Sequence, residues 1–325
     1  MDLRGEKIMR RAVGKGVTAV FDTETGALEL HAHEGILWPG WLERARINRK
    51  EVESIRVAEG KIFLPEETGG TQGMVFEYLT NLRIIDMIHF DTSNVTDMNS
   101  MFCGCESLER ITNLDSLNTS KVTNMGYMFY KCTSLADASF KGWDTSNVTN
   151  MNSMFARCYQ ISELDLSSFY TPNLLTMENM FELCMKMTKL DITNMDTSHV
   201  VYMDGAFNNC HKVEHLDLHG MDTSSAITMG YMFHGCNALK TLDIHQFNTS
   251  KVLRMEGMFS GCNSITDLDL SHFDISAVKD MRKMFAGCGK LQHLQMPTLI
   301  TEKARTDGMF DGCSDDLQVI YKEGY

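Results

Sequence analysis

From residue 76 onward the apolar positions of this chain recur with a fixed period. Phenylalanine followed three residues later by cysteine stands at Phe102/Cys105, Phe129/Cys132, Phe155/Cys158, Phe181/Cys184, Phe207/Cys210, Phe233/Cys236, Phe259/Cys262, Phe285/Cys288 and Phe310/Cys313, with a degenerate Phe76/Leu79 upstream. The steps between these phenylalanines are 26, 27, six times 26, then 25 residues. A constant period of this size marks stacked supersecondary units, none of which can bury its apolar face alone.

Within one unit two periodicities alternate. Leu164 and Leu166 alternate with Glu163, Asp165 and Ser167, which predicts a short strand with one buried face. A turn follows, DTS in most units, at Asp91, Asp144, Asp196 and Asp222, with Asn118 and Asn248 as variants; these side chains bond their own backbone two residues on. Val148, Met151, Met154, Phe155 and Cys158 are then spaced by three and four, which predicts a short helix or 3₁₀ segment. The expected fold is an α/β solenoid: a leucine-rich-repeat-like array of about ten strand–turn–short-helix units of 26 residues. The array is expected over 76–313, behind an N-terminal cap over 1–75 and before a capping strand over 314–325. In the cap, VTAVFDTETGALELHAH (17–33) reads as a β-hairpin around TETG, and Val52, Ile55 and Val57 repeat the strand pattern. At the other end Leu317, Val319 and Tyr321 alternate as a closing strand.

The sulfur-rich columns raise a question of chemistry. Met and Cys at this spacing suit Cu(I), but nine or ten equivalent sets point to core filling, a use both residues favour. Nine of the ten cysteines belong to the column and are expected as buried free thiols; Cys103 is extra, expected to face outward and to be the most reactive. No GxSxG, P-loop, HExxH or GxGxxG pattern occurs, so no enzyme, cofactor or metal centre is expected.

Charge narrows the partners. With 30 Lys and Arg against 43 Asp and Glu the net charge is −13, which disfavours nucleic acid and favours a basic partner. No run of apolar residues is long enough to span a membrane. The opening MDLRGEKIMRRAVGKG lacks the apolar core of an export signal, so any leader is expected to lie outside this chain.

Function is sought where packing does not dictate the residue. Between the two buried apolar positions of each strand one residue faces out: Asp86, Thr112, Ser139, Asp165, Asp191, Asp217, Asp243, Asp269 and Gln295. Five consecutive aspartates at one strand spacing, about 4.8 Å, repel one another by somewhat under ~1 kcal/mol per pair in water. Hydrogen bonds from Ser167, Thr193 and Ser271, or pairing with Lys189 and His215, would offset this. A basic protein surface docked on the row would do the same, and calcium is a third reading. His215, His219 and His245 gather toward the C-terminal half with His272 and His293, where zinc or pH sensitivity is conceivable. The candidate protein-binding residues are therefore Asp165, Asp191, Asp217, Asp243, Asp269, Lys189, His215, His219 and His245.

The runs LDLSSF and DTSNVTNMNSMF with the closing xxCxxL resemble the BspA-like leucine-rich-repeat family of bacterial surface proteins, in its Met-Phe-rich branch. AVFDTETGALELHAHEG followed by tryptophan resembles the region preceding such repeats. The resemblance implies a leucine-rich-repeat-like solenoid displayed on or secreted from the cell and binding host or neighbouring-cell proteins, as an adhesin does. It carries no catalytic or ligand residue. A stalk without a ligand on the array, or a cytoplasmic scaffold, are the alternatives. The last unit departs from the pattern at Ile300 and Asp307, as a cap would.

Overall fold

The computed structural model describes residues 7–69, 75–297 and 304–322, and Ile300 lies outside them. The chain divides into two compact units, 1–148 and 149–325, and both are lengths of β-solenoid with little helix. Among the described residues no helix is long and apolar enough to cross a membrane.

The first unit opens with β1 (Ile8–Asp22) and β2 (Ala27–Leu37), an antiparallel hairpin longer than its sequence signature. Val17, Ala19 and Phe21 on one strand and Leu28, Leu30 and Ala32 on the other are buried, the period of two that the pattern required. Gly26, at φ 67°, makes the turn in a conformation that side chains disfavour. The helix α1 (Trp41–Ala45) follows, and the fully buried Trp41 donates its Nε1–H to the Val75 carbonyl at 2.9 Å. Strand β3 (Ser54–Phe63) joins the hairpin to the strands that follow. It pairs parallel with β2 on one edge, and with β4 (Ile84–Asp86) and β5 (Phe90–Asp91) on the other. β4 in turn pairs with β6 (Arg110–Thr112). The repeat step of 27 is accommodated directly after β6: Asn113 takes φ 55° and a single 3₁₀ turn, Leu114–Ser116, restores the register. In the next unit Ala138, Ser139 and Phe140 stand where others have Leu-x-Leu, and no strand forms there. Phe140 and Trp143 fill that space edge to face, their ring centroids 5.0 Å apart.

The second unit carries the short strands β7 (Glu163–Asp165), β8 (Lys189–Asp191), β9 (His215–Leu216), β10 (Thr241–Leu242), β11 (Asp267–Asp269), β12 (His293–Met296) and β13 (Gln318–Tyr321). They pair in parallel as β7–β8, β9–β10 and β11–β12–β13. The closing strand read from Leu317, Val319 and Tyr321 is thus present as β13. A second ladder of single bridges runs through Asn150, Thr176, Tyr202, Thr228, Arg254, Asp280 and Arg305.

The expected helical segment is not helical. In 151–158 the amides of Met151, Ser153, Phe155 and Arg157 donate to carbonyls one repeat away, at Thr176, Glu178, Met180 and Glu182. Those of Met154, Ala156 and Cys158 donate three residues back. Ser153 and Arg157 sit at φ 53° and 65°, which no right-handed helix contains. Tight turns alternating with rung-to-rung bonds bury Met151, Met154, Phe155 and Cys158 on one side, mimicking helical spacing.

Polar ladders run through the core beside the apolar ones. The DTS threonine is buried: Thr197 Oγ1 donates to the Asp222 carbonyl and accepts from the Asp222 amide, both at 2.8 Å. Thr223 and Thr249 repeat this with Asn248 and Asp274. Within each unit the column thiols bond the phenylalanine carbonyl of the preceding rung, as Cys105 does to Phe76 at 3.0 Å and Cys210 to Phe181 at 3.2 Å. The phenylalanine rings themselves stack: Phe76 on Phe102 at 5.5 Å in the first unit, and Phe207 on Phe233 at 5.6 Å in the second. These offset stacks are a favoured aromatic geometry.

All ten cysteines are free thiols. Burial pushes Cys105, Cys184, Cys236 and Cys288 up to about 12, so they stay protonated and serve as donors. Cys103 corrects the outward-facing expectation: it is only 5% exposed, because Tyr78 and its own rung cover it, and burial raises its pKa. The most open thiol is Cys313 in the last rung. An aromatic disulfide reagent is expected to label Cys313 first; Cys313→Ser should abolish the fast phase and Cys103→Ser should leave it intact. Thr197→Val strips two partners from a buried rung, and is expected to lower unfolding free energy by about 1–3 kcal/mol in urea titration.

Candidate binding face

The aspartates predicted on the strand face all reach the surface, but their first bond is to their own turn. The amides of Ser167, Thr193, His219, His245 and Ser271 donate to Oδ1 of Asp165, Asp191, Asp217, Asp243 and Asp269 at 2.8–3.2 Å. Ser167 and Thr193 add their hydroxyls at 2.6 and 2.7 Å. The carboxylates are thereby held in fixed orientation where each strand ends, and these bonds to the charged form offset the repulsion along the row.

The row is not one uninterrupted ladder. Asp165 lies opposite Asp191 in β7–β8, and Lys189 lies opposite Glu163 one step earlier. Asp217 and Asp243 fall just beyond the ends of β9 and β10, and Asp269 faces Gln295 in β11–β12. The structure gathers four of the nine predicted residues, His215, Asp243, His245 and Asp269, around a groove of about 470 Å³. Asp165, Lys189, Asp191, Asp217 and His219 do not line it.

Two further groove residues, Asp267 and His293, stand in the column flanking the aspartates. Their register was visible in the repeat, but their pairing needed adjacent rungs to be brought together. His293 Nδ1 lies 2.8 Å from Asp267 Oδ1. His215 Nδ1 lies 2.9 Å from the Thr241 hydroxyl. His245 Nδ1 lies 2.5 Å from Asp243 Oδ1, and its ring stacks on His272 at 5.7 Å. Lys240 pairs with Glu214 at the rim. Among the described residues no three His, Cys, Asp or Glu side chains converge as ligands of one ion. The groove therefore offers carboxylates and imidazoles already paired to one another.

The hydrogen bond from His245 holds Asp243 below the usual carboxylate range, and Asp243 in turn raises His245. A raised imidazole contributes stability below its unfolded pKa, lost as pH rises through the folded value. A depressed carboxylate contributes above its unfolded pKa, lost as pH falls through the folded value. The pair is therefore strongest between the two. An NMR titration is expected to show His245 titrating above an unperturbed imidazole, and Asp243→Asn is expected to bring it back down.

No curated protein matches the chain. Solved structures that resemble it are a leucine-rich repeat protein from Eubacterium ventriosum (15% identity, 95% of this chain and 96% of that chain, TM-score 0.40), a leucine-rich cell surface protein from Faecalibacterium prausnitzii (13%, 97% and 95%, 0.33) and a leucine-rich repeat protein from Bacteroides ovatus (13%, 99% and 100%, 0.29). Likeness this distant carries no function across. The family described as "Mycoplasma protein of unknown function, DUF285" matches over 72–189, 109–221 and 202–321. These overlapping stretches cover the repeats and well over half of the sequence, and the chain belongs to that family.

Proposed function

We propose that this chain is a non-enzymatic, BspA-like repeat protein of the bacterial surface, of the Met-Phe-rich branch, which binds a basic protein through its strand face. The observation that carries this reading is the groove over β9–β12, where Asp243, Asp267 and Asp269 stand exposed and fixed in place. Carboxylates locked before docking cost less entropy to use than mobile ones. Opposed lysines or arginines gain long-range attraction from a chain of net charge −13. His245 beside them sets a pH dependence: its protonation adds positive charge to the groove and opposes a cationic partner.

The test exploits the repeat's own tolerance. In the DTS turn, a different column, Asn118 and Asn248 accept from the amide two residues on; Asp243 and Asp269 accept in the same way at their own turns, so Asp→Asn there is expected to remove charge and keep the turn bond. Asp243→Asn with Asp269→Asn is expected to weaken binding of an oligolysine probe by about threefold to tenfold. It should also flatten the salt dependence and, at a pH above the window in which the His245–Asp243 pair is charged, leave the melting temperature unchanged. Unchanged binding and salt slope would show that this face is the wrong one. Protease shaving of intact source cells is expected to remove the protein; survival until lysis would rule out surface display.

A further inference from the structure

Two residues beyond the bridges of the second ladder, successive rungs place Glu178, Asp204, Gly230, Glu256 and Arg282. These form one column: the amides of Asn179, Gly205, Tyr231 and Gly257 donate across the rungs to the carbonyls of Asp204, Gly230, Glu256 and Arg282, each at 2.8 Å. Gly230 thus stands between two carboxylates, with Glu178 one rung further out. Asp204 Oδ2 accepts from the Thr228 hydroxyl, and Oδ1 accepts from the Gly230 amide at 3.0 Å. Glu256 Oε1 accepts from Arg254 Nε at 3.1 Å. Glu256 Oε2 has no donor among the described residues, although Glu256 is only 4% exposed. Arg282, next in the column, is turned to Asp280 instead, with Nη2 2.6 Å from Oδ2.

The free oxygen has a direction. Gly230 lies outside the left-handed region, so its backbone conformation does not call for glycine; the space does. A Cβ on Gly230 would lie 3.0 Å from Asp204 Oδ1, 3.0 Å from Glu256 Oε2 and 2.9 Å from Glu256 Cδ. Two carboxylate oxygens from rungs on either side therefore converge on one point above the glycine. A buried carboxylate oxygen without a donor is costly, and folded proteins resolve such atoms with a partner, a water or an ion. Charge decides between these. Glu178, Asp204 and Glu256 act on one another here, and the guanidinium of Arg254 is already paired with Glu256. Burial holds Asp204 and Glu178 above the usual carboxylate range, and the charge of Asp204 adds to the rise at Glu178. A water would donate to both oxygens and leave the surplus negative charge in place; a cation removes both costs.

We propose that Asp204 and Glu256 hold one hard divalent cation, calcium, over Gly230. The donors are all oxygen, and two carboxylates and the Thr228 hydroxyl surround the point from three rungs. Water completes the roughly six to eight oxygens that calcium takes, entering beside the half-buried Asp204. Calcium accepts such an irregular set, whereas magnesium demands a near-ideal octahedron. The ion is a clip across three rungs, and neither carboxylate lines the strand-face groove.

Calorimetric titration of calcium chloride into the chelator-stripped full chain tests this. One site with a dissociation constant of about 0.1–1 mM is expected. Calcium at about tenfold above that value should raise the melting temperature by about 1–3 °C. Asp204→Asn and Glu256→Gln should each weaken binding by at least about tenfold. Gly230→Ala keeps every charge but sets a methyl group at the shared point, and should weaken binding as much. Asp243→Asn with Asp269→Asn should leave calcium binding unchanged, which separates this site from the strand face. Circular dichroism in chelator should superimpose for all variants; if one of them alters the fold, the others carry the test. Absence of calcium-dependent heat and of any melting shift up to about 10 mM would overturn the proposal and leave a water between the carboxylates. Binding that survives Asp204→Asn, Glu256→Gln and Gly230→Ala, or that is lost in the strand-face double variant, would overturn it too.

Discussion

Every rung of this protein depends on hydrogen bonds that only the adjacent rungs can complete. A buried amide, carbonyl or hydroxyl without a partner costs more than an ordinary bond contributes, and a unit of 26 residues leaves many such groups facing its neighbours. Two side-chain ladders close the account between rungs, and a third bond closes each turn. The threonine hydroxyl both donates to and accepts from the next turn. The cysteine thiol donates to the phenylalanine carbonyl of the preceding rung. The turn Asp or Asn caps the amide two residues on. A shift of one residue between rungs would break the threonine and cysteine ladders together, which explains why the period is so strictly kept. Where it slips to 27, Asn113 absorbs the extra residue in a left-handed conformation immediately after its strand.

This constraint also explains the sulfur. A column of methionine and cysteine suggests soft-metal chemistry, but thiols such as Cys236 are occupied by a carbonyl and held protonated by burial. Cysteine suits the site because it is small and apolar and still carries one weak donor. The same logic governs the exposed aspartates. They are placed first by the need to end each strand in a turn, and they become available to a partner because that placement leaves the carboxyl at the surface. Scaffold and candidate binding face are thus one set of residues, with charge as the separable part.

The resolution of that double role lies in the sheet breaks. The aspartate column is divided among β7–β8, β9–β10 and β11–β13, and only the later members line a groove. Histidines fill the positions around it, and their pairing with Asp243 and Asp267 sets its electrostatics. Uniform sequence spacing therefore produced a non-uniform surface, since side-chain identity varies from rung to rung while the backbone does not.

By itself the sequence determined the repeat, the strand positions, the buried identity of Phe, Met and Cys, and the turn role of Asp and Asn. All of these follow from periodicity and local hydrogen bonding, which act over a few residues. It misread Met151–Cys158 as helical, since spacings of three and four are shared by a helix and by tight turns alternating with rung-to-rung bonds. Only the positive φ of Ser153 and Arg157 tells them apart. It took Cys103 for an outward thiol because nothing in the local pattern shows Tyr78 lying over it. Tertiary structure alone decided the buried threonine ladder, the missing strand at Ser139, and which aspartates share a groove. Those depend on what stands one rung away, about 26 residues distant in the chain and one strand spacing distant in space.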